Sequence, residues 1–460
     1  MTALRSESRD LRAPAVAPPS QSRSGSLGRV GIIGGGITGL ATAYYLGQAG
    51  AEVELFESTP SFGGLGSSFR HGAYNLDRFY HVILPTDNYL LELCQSLGIR
   101  DRVYWKEASL GFFYQRRLYG LRGPLDLLRF GALPMADRFR LGLTALYTGY
   151  VASSAGLDDV TAVEWLTKLS GRRAGQRLWR PLLEAKFGDG YDRIPALWYW
   201  TSFNREKGTR KEVKGYLRGG YTGLTDTLVE SLSARGVSLH PNTPISALDL
   251  DSAGRPRLTT ASGTVEFNRI VSTVPLAHLS RIAAGGALEE RLRPFVDAID
   301  YQGVVNVLVL LRRPLTPYYW IPAVECGVPF HGIVETTRVI DLEQTGGYHL
   351  VYLMNYVHRT DSLFHRDPDA LAAEYVDALL GLFPELERQD VCGTFVFKAP
   401  YVEPLYSPGY GRRKPPEELV PGRVYLATTA QVYPNVTSWN SSIGLAKSVV
   451  ERMLERVRER

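Results

Sequence analysis

The chain has 460 residues, too many for one simple core, and its length predicts two intertwined domains. Its 44% hydrophobic and 22% charged residues are typical of a soluble globular protein. The net charge of +5 is mild for this length and no dense lysine-arginine block occurs, which argues against a nucleic-acid partner. Three widely separated cysteines without a C-x-x-C pair argue against a disulfide framework or a metal site and favour a reducing cytoplasm.

The N-terminal stretch, residues 1–27, is rich in Ser, Pro, Ala and Arg and lacks the apolar core of a signal peptide. This composition predicts a disordered tail. A transit peptide is the alternative, although Glu7 and Asp10 interrupt the basic pattern. Apolar runs such as residues 304–311 stay well below the roughly 18 residues that a transmembrane helix requires.

A phosphate-binding fingerprint follows the tail. Residues 30–33 form an apolar run without polar alternation, which predicts a strand covered on both faces. Gly34, Gly36 and Gly39 then occur in G-x-G-x-x-G spacing, which supplies a tight turn, a close backbone approach to a pyrophosphate and close packing of helix on strand. A helix predicted over residues 37–49 points its positive N-terminus at that pyrophosphate.

A second apolar run, residues 53–56, ends at Glu57, roughly 20 residues beyond the glycines, where an acidic side chain can bind ribose hydroxyls. Because a carboxylate would repel a 2′-phosphate, the ribose is expected to be unphosphorylated. This pattern predicts a dinucleotide site, with a glycine-rich loop in an ordinary βαβ unit as the alternative. The motif by itself leaves FAD and NAD open.

Further motifs follow the second strand. Gly63 and Gly64 lie where the chain must pass back beside the dinucleotide, and backbone without side chains allows a close passage. Two short predicted strands then end in a polar cluster of Asp77, Arg78 and His81.

The fingerprint, Glu57, the paired glycines and the D-x-x-x-H ending at His81 resemble the FAD-binding half of the flavin amine oxidase superfamily. That group includes protoporphyrinogen oxidases, phytoene desaturases and, more distantly, UDP-galactopyranose mutases. The resemblance implies an α/β fold in which a Rossmann-like FAD-binding domain is interleaved with an α+β substrate domain. Arg78 stands where the family often has glycine, which predicts a different local backbone near the flavin.

The expected boundaries put the FAD-binding domain at residues 28–109, 215–287 and 402–460, a helical substrate segment at 110–214 and a substrate sheet at 288–401. The resemblance implies backbone and small-residue contacts to FAD from each part of the first domain. The implied cofactor-binding residues are Gly34, Gly35, Gly36, Ile37, Thr38, Gly39, Glu57, Ser58, Gly63, Gly64, Leu65, Ile245, Trp439, Asn440 and Ile443.

The helical segment holds two groups of residues with open interpretations. Trp198, Tyr199 and Trp200 could line an apolar pocket, although consecutive aromatics are more often core. Lys186 could lie near the active site, although a solvated lysine is the simpler interpretation. Four basic residues are interpreted as a solvated helix face, and they are Arg172, Arg173, Arg177 and Arg180.

The C-terminal stretch runs strand, loop and helix, with the strand at residues 424–427 and an amphipathic helix at 441–457. In the resembled family the final helix points its N-terminus at the flavin. Relatives usually carry Gly-Asp after the strand, whereas this chain has Thr428 and Thr429, so an aspartate ligand is not carried over. In monoamine oxidases the cysteine that carries the flavin lies just before the closing helix. No cysteine occurs here after Cys392, so the resemblance implies that FAD is held non-covalently.

FAD is favoured over NAD because the opening and closing stretches of the chain are expected to complete one nucleotide domain and no second glycine fingerprint occurs. In flavin enzymes the isoalloxazine N5 accepts a hydride and the protein orients the substrate. His81 is the first catalytic candidate because it completes the family's D-x-x-x-H pattern and could titrate near neutrality; a loop-fixing histidine is the alternative. In the superfamily a lysine lies near the flavin N5 and aromatic side chains lie over the flavin ring. This resemblance suggests Lys398 and Tyr433 as further catalytic candidates.

Three functions remain open from the sequence. The favoured one is an FAD-dependent oxidase or dehydrogenase that removes a hydride from a bulky, apolar small molecule: an amine, a tetrapyrrole or an isoprenoid-like compound. The alternatives are a redox-neutral flavoenzyme resembling UDP-galactopyranose mutase and a non-catalytic FAD-binding protein. A cytoplasmic location is expected, with peripheral membrane contact and the oligomeric state left open.

Overall fold

A computed structural model describes residues 27–121, 126, 129–206 and 213–459. The predicted tail therefore lies outside the described residues, apart from Leu27. The helices are α1 (Ile37–Gln48), α2 (Asn88–Ser96), α3 (Met135–Tyr150), α4 (Ala162–Ser170), α5 (Arg172–Ala174), α6 (Arg180–Phe187), α7 (Ala196–Glu206), α8 (Gly220–Ala234), α9 (Leu276–Ile282), α10 (Ala287–Ala298), α11 (Pro368–Leu382), α12 (Tyr410–Arg413) and α13 (Trp439–Arg458).

Within the described ranges the strands form two large sheets and three small ones. They are β1 (Arg29–Ile33), β2 (Glu52–Phe56), β3 (Ser68–His71), β4 (Tyr74–Asp77), β5 (Val103–Glu107), β6 (Gly111–Tyr114), β7 (Arg117–Gly120), β8 (Val213–Leu217), β9 (Ser238–His240), β10 (Ala247–Leu250), β11 (Pro256–Thr260), β12 (Gly263–Glu266), β13 (Arg269–Ser272), β14 (Tyr301–Leu311), β15 (Trp320–Val324), β16 (Gly332–Glu335), β17 (His349–His358), β18 (Val391–Pro404), β19 (Glu418–Val420) and β20 (Val424–Leu426).

The first sheet joins strands from three distant parts of the chain, in the order β19-β20-β13-β1-β2-β9. All neighbours are parallel except β19 and β20. In the centre, Val30 pairs with Val53 on one side and with Arg269 on the other. A strand that is buried on both faces of a parallel sheet carries apolar side chains at successive positions, which explains the apolar runs in the sequence. The predicted α/β fold with a Rossmann-like sheet is confirmed.

The second sheet has the order β18-β14-β17-β16-β15-β6-β7 and is antiparallel except between β15 and β6. Its strand β14 is buried along its whole length because both of its faces are covered. Val304 and Leu308 belong to the core shared with the first sheet, whereas Val305 and Val307 pack against α11. The stretch expected to be helical, 110–214, also supplies β6 and β7 to this sheet.

The closing helix α13 begins two residues before the predicted start at residue 441, because Ser438 caps it. The Ser438 hydroxyl accepts from the Ser441 N–H at 3.2 Å in a capping box. The helix packs along α1 and buries Ile443, Ala446 and Val449. It thereby ties the end of the chain to the first sheet. No helix within the described ranges has the length and apolarity needed to cross a bilayer.

The packing of α13 can be tested with Ile443→Ala. Ile443 is fully buried, so the substitution leaves a cavity and should lower the free energy of unfolding by about 2–5 kcal/mol. Lys447→Ala, on the half-exposed side of the same helix, should change it by less than about 0.5 kcal/mol. Urea unfolding followed by circular dichroism measures both. Equal losses in the two variants would contradict the burial of this helix face.

Candidate cofactor and substrate site

Two glycines of the fingerprint lie where a side chain would not fit. Gly34 follows β1 with a φ of +103°, in the region that favours glycine, and its N–H donates to the Phe56 carbonyl at 2.9 Å. A Cβ on Gly39 would lie 1.9 Å from the Gly34 carbonyl oxygen. Only glycine therefore allows α1 to begin this close to β1, as the spacing predicts.

The third fingerprint glycine borders an open stretch of backbone. A Cβ on Gly36, the N-cap of α1, would meet only the Gly64 Cα, at 3.9 Å. The returning chain is held there because the Gly63 N–H donates to the Gly35 carbonyl at 2.9 Å. A Cβ on Gly64 would approach the Gly36 Cα at 3.2 Å. The two glycine pairs thus form a groove of bare backbone at a helix N-terminus, which fits a dinucleotide pyrophosphate.

Glu57 is nearly buried and is fixed by the loop around it. One carboxylate oxygen accepts from the Gly35 N–H at 2.7 Å, and the other accepts from the Thr59 N–H at 2.8 Å. The exposed Ser58 hydroxyl lies 3.3 Å from the second oxygen. The Glu57 carbonyl accepts from the Thr243 N–H at 2.7 Å. The Glu57 carboxylate therefore lies at the end of the groove, where the N–H groups of Gly35 and Thr59 bind its two oxygens.

Four other predicted cofactor residues surround this groove. Ile245, two residues beyond Thr243, is half-buried and packs on the core that contains Phe56. Ile37 is buried at the start of α1, Thr38 is half-buried beside it, and Leu65 is half-buried in the returning chain.

Trp439 and Asn440, in the first turn of α13, contact the returning chain near Gly66, the helix α8 and the start of α2. A Cβ on Gly66 would lie 1.9 Å from the Trp439 ring, so glycine is required beneath this side chain. The Trp439 ring centroid lies 4.6 Å from that of Tyr221. The Asn440 Oδ1 accepts from the Leu90 N–H at 3.1 Å and so binds the first turn of α2. Ile443, one turn further along, has its side chain in the core.

His81 lies beside these aromatic rings. Its ring centroid is 5.0 Å from Tyr221 and 6.2 Å from Trp439. Its Nδ1 lies 2.9 Å from the Phe79 carbonyl oxygen, which requires Nδ1 to be the donor and leaves Nε2 as the acceptor. Burial lowers the pKa of His81 to about 4. The expectation that it titrates near neutrality was therefore wrong, and the imidazole is neutral at pH 7.

Asp77, at the end of β4, is a buried carboxyl group near His81 in sequence. One oxygen accepts from the Tyr216 hydroxyl at 2.6 Å, and its main-chain carbonyl accepts from the Tyr352 hydroxyl at 2.7 Å. The other carboxyl oxygen is buried without a hydrogen-bond partner among the described residues. Burial raises the pKa of Asp77 to about 7, against the opposing effect of the Tyr216 hydrogen bond.

Lys398 does not reach this site, because it points to the other face of β18. Its Nζ donates to the Phe364 carbonyl at 3.3 Å and to the Arg366 carbonyl at 2.5 Å. Its neighbour Phe397 faces the first domain instead, 5.0 Å from the Phe69 ring. Alternate residues of a strand point to opposite faces, so Lys398 lies on the α11 side. Its proposed role near the flavin is withdrawn.

Tyr433 is also placed away from the site, in an aromatic core. Its ring lies 5.0 Å from Tyr406 and 5.1 Å from Tyr410, and its hydroxyl donates to Asp158. Burial, followed by the Asp158 carboxylate, raises the pKa of Tyr433 well above its usual range. A fully packed side chain with its hydroxyl engaged has a structural role, so the catalytic assignment is corrected. Trp198 is likewise buried in this core.

An ion pair that sequence reasoning missed lies between α6 and β18, where half-buried Lys186 meets fully buried Glu403. The Lys186 ammonium is 2.9 Å from a Glu403 carboxylate oxygen and 4.5 Å from the Tyr356 ring centroid. Burial by itself would lower the pKa of Lys186, but Glu403 and Tyr356 more than offset this and raise it. The Tyr356 hydroxyl is 2.8 Å from that of Tyr80, which precedes His81. The solvated-lysine interpretation was wrong.

Arg78 and Thr428 stand where this chain departs from the family pattern, and each forms a hydrogen bond with a nearby group. The exposed Arg78 guanidinium donates to the Ser68 carbonyl at 3.2 Å and lies 5.8 Å from the Phe397 ring. The Thr428 N–H donates to the Gln431 side chain at 2.8 Å within a turn after β20. The basic residues between α5 and α6 are exposed, as interpreted from the sequence, and they are Arg172, Arg173, Arg177 and Arg180.

Comparison with known proteins places this geometry in context. A family model described as "Flavin containing amine oxidoreductase" matches residues 37–438. Zeta-carotene desaturase of Zea mays is 28% identical over 199 residues, which cover 38% of this chain and 35% of that protein. The 15-cis-phytoene desaturase of Synechococcus elongatus is 23% identical over 320 residues, which cover 63% of this chain and 66% of that protein. The alignments therefore span less than two thirds of either relative.

Solved structures show the same fold over nearly the whole chain. An oxidoreductase from Methanosarcina mazei has a TM-score of 0.73 at 17% identity and covers 92% of this chain and 100% of its own. Reduced UDP-galactopyranose mutase has a TM-score of 0.71 at 16% identity and covers 93% of this chain and 95% of its own. At such identities the likeness establishes the fold alone.

The glycine contact at the start of α1 can be tested with a matched pair of variants. Gly39→Ala forces the helix away from the Gly34 carbonyl, and overpacking of this kind costs about 1–3 kcal/mol. If that cost falls on cofactor binding, FAD affinity drops by about tenfold or more. Gly47→Ala in the same helix meets only a Val237 methyl group at 3.6 Å and should bind FAD normally. Titration of each apoprotein with FAD measures the difference. Equal affinities of the two variants would contradict the binding of FAD in the groove at the start of α1.

Burial of Asp77 and His81 has opposite effects on the pH dependence of stability. The pKa of Asp77 rises from 3.8 to about 7, so the folded state binds more protons in this range and stability falls as pH rises. The pKa of His81 drops from 6.5 to about 4, so the folded state binds fewer protons and stability increases with pH. The two contributions oppose each other between about pH 4 and 6.5.

Single substitutions should expose each contribution. Asp77→Asn leaves the His81 effect, so the free energy of unfolding should rise with pH by more than about 1 kcal/mol across this window. His81→Gln leaves the Asp77 effect and should reverse the sign of the slope. Urea unfolding at several pH values, with cofactor content held constant, measures the profiles. Parallel profiles for the two variants would contradict the assigned pKa shifts.

Proposed function

Because the chain belongs to the flavin-containing amine oxidoreductase family, we propose that it is an FAD-dependent oxidase or dehydrogenase. Its substrate is a bulky, apolar organic molecule, such as an amine, a tetrapyrrole or an isoprenoid-like compound, from which a hydride is removed. When bound, FAD supplies the hydride acceptor at N5. The observation that carries the proposal is the groove of bare backbone at Gly36 and Gly64, with Glu57 at one end and His81 among aromatic rings near α13.

The chain's own residues hold the cofactor without a covalent bond. The N–H groups at the start of α1 and the helix dipole bind the pyrophosphate. Glu57 is proposed to accept from the ribose hydroxyls while retaining its contact with Gly35. Cys94 and Cys326 are buried, and no cysteine follows Cys392 in the sequence, so the closing segment offers no thiol for attachment to the flavin.

The aromatic lining of the second sheet supports an apolar substrate. Phe395 and Phe397 face Phe69 at 4.6 and 5.0 Å, and Tyr80 lies 6.1 Å from Tyr352. Large aromatic rings bind apolar molecules through dispersion and loss of hydration. Since the same face of the sheet covers the first domain, these rings are proposed to bound the substrate space.

His81 is the proposed polar group that orients the substrate. Its Nδ1 proton is committed to the Phe79 carbonyl, so Nε2 is available to accept a hydrogen bond. Because its pKa is about 4, the imidazole brings no positive charge to the site at neutral pH. It can therefore bind a donor on the substrate or a water molecule without repelling a protonated amine.

A redox-neutral reaction on a sugar nucleotide is the second candidate, favoured by the fold shared with UDP-galactopyranose mutase. Convergent arginines are expected to bind the diphosphate of a sugar nucleotide. The four arginines from α5 to the start of α6 are exposed, and two of them pair with acids, Arg173 with Asp137 and Arg180 with Glu184. This arrangement favours the hydride-removing reaction.

The proposed setting is the cytoplasm, because Cys94, Cys326 and Cys392 are all free thiols. The proposed partner is the small-molecule substrate. An apolar substrate of this size is concentrated in lipid, so peripheral contact with a membrane is part of the proposal.

Anaerobic mixing of the FAD-loaded protein with a substrate panel tests the function. A hydride-removing enzyme should lose most of its flavin absorbance near 450 nm with at least one amine, tetrapyrrole or isoprenoid-like compound, and acceptor should restore it. Turnover of a UDP-sugar only after pre-reduction would favour the mutase reaction instead. Neither response across the panel would leave a non-catalytic FAD-binding protein, and failure to bind FAD would contradict all three functions.

A further inference from the structure

Helix α3 exposes its apolar side and buries its small and polar side. Met135, Phe139, Leu143 and Leu146 recur at helical spacing along one face, and the last three are 63, 67 and 58% exposed. Toward the domain the helix buries one large apolar residue, Leu141, together with Thr144, Thr148 and Gly149. An amphipathic helix on a globular protein normally does the opposite.

This apolar face continues past the end of the helix. Tyr150 is 75% exposed and Val151 is 69% exposed, so the face extends from Met135 to Val151 without a charged residue within it. Singly exposed apolar side chains need no explanation, whereas a contiguous row marks a surface that is covered by a partner or a lipid.

One edge of the face is basic. The Arg140 guanidinium donates to the Leu169 and Lys168 carbonyls at 2.7 and 2.9 Å, which places it at the end of α4. Exposed Arg172 and Arg173 follow in α5, which packs beside α3. Residues 135–180 contain seven Lys and Arg against four Asp and Glu. The edge therefore complements a negatively charged surface.

Two other occupants fit less well. The 16 residues of α3 give a face about 24 Å long and about 10 Å wide, or about 240 Å². A stable contact with a second copy buries about 800 Å² on each partner, and a two-fold contact would also bring like charges together. The N-terminal residues 1–26 contain four Arg against two acids and few large apolar side chains, so they match neither the face nor its basic edge.

We propose that α3 docks this protein on the surface of an anionic lipid bilayer. The helix lies parallel to the membrane with Phe139, Leu143 and Leu146 at the level of the acyl-chain boundary, and with Arg172 and Arg173 at the phosphate groups. The inference rests on the proposed peripheral contact of the enzyme with lipid. It supplies the surface, the orientation and the lipid charge that this contact requires.

Vesicle co-sedimentation of the full-length, FAD-loaded protein tests the proposal. Binding is expected to vesicles that contain phosphatidylglycerol, with weaker binding to pure phosphatidylcholine, and should decrease with added salt. Phe139→Ser with Leu143→Ser should reduce the partition coefficient by about tenfold or more. Arg172→Gln should reduce it by about fivefold on the anionic vesicles only. Leu342→Ser, an exposed leucine on another part of the surface, should bind as the unmodified protein does.

Three results would overturn the proposal. They are absence of binding to either vesicle, unchanged binding of the Phe139→Ser, Leu143→Ser variant, and a dimer in light scattering that this variant dissociates. The variant's flavin absorbance and thermal midpoint should match those of the unmodified protein, because the two side chains are exposed. Lipid binding is measured without substrate, so its failure would leave flavin bleaching by substrates intact and the enzymatic proposal standing.

Discussion

The approach of Gly39 to the Gly34 carbonyl is the contact on which the site depends. It allows α1 to begin directly against the end of β1, so that the helix N-terminus faces the groove. The buried side of α1 then supports α13, and β1 pairs with β2, the next strand, and with the distant strand β13. A displaced α1 would therefore disturb three separate stretches at once. The cofactor groove and the closure of the first domain share one packing constraint.

The residues that sequence reasoning identified around this contact are close in the chain. Gly34, Gly39 and Glu57 act through one βαβ unit, where spacing predicts geometry. To predict the position of Lys398, one must know which face of β18 its side chain occupies. That face is set by the pairing of Lys398 with Val305, whose side chain lies on the α11 side. A lysine pattern cannot supply this information.

Long-range pairing explains the other differences. Lys186 and Glu403 are more than 200 residues apart, and only the packing of α6 against the second sheet brings them together. The position of Tyr433 could not be predicted for the same reason. The sequence does not distinguish an aromatic ring that lines a pocket from one that packs in the core, as Tyr433 does against Tyr406 and Tyr410. The fold class was predictable because the glycine fingerprint, Glu57 and the D-x-x-x-H ending that carry the family resemblance are local in the sequence, whereas catalytic roles depend on which distant faces meet.

The ionisable groups beside the proposed substrate space carry little net charge at neutral pH. His81 is neutral, burial raises the pKa of Asp77 to about 7, and Lys186 is paired with Glu403. An apolar molecule can therefore enter without desolvating an unpaired full charge, which is costly in a buried site. The Lys186 ammonium lies over the Tyr356 ring, 4.5 Å from its centroid, and is paired with Glu403, so this basic group adds no unpaired charge to the proposed substrate space.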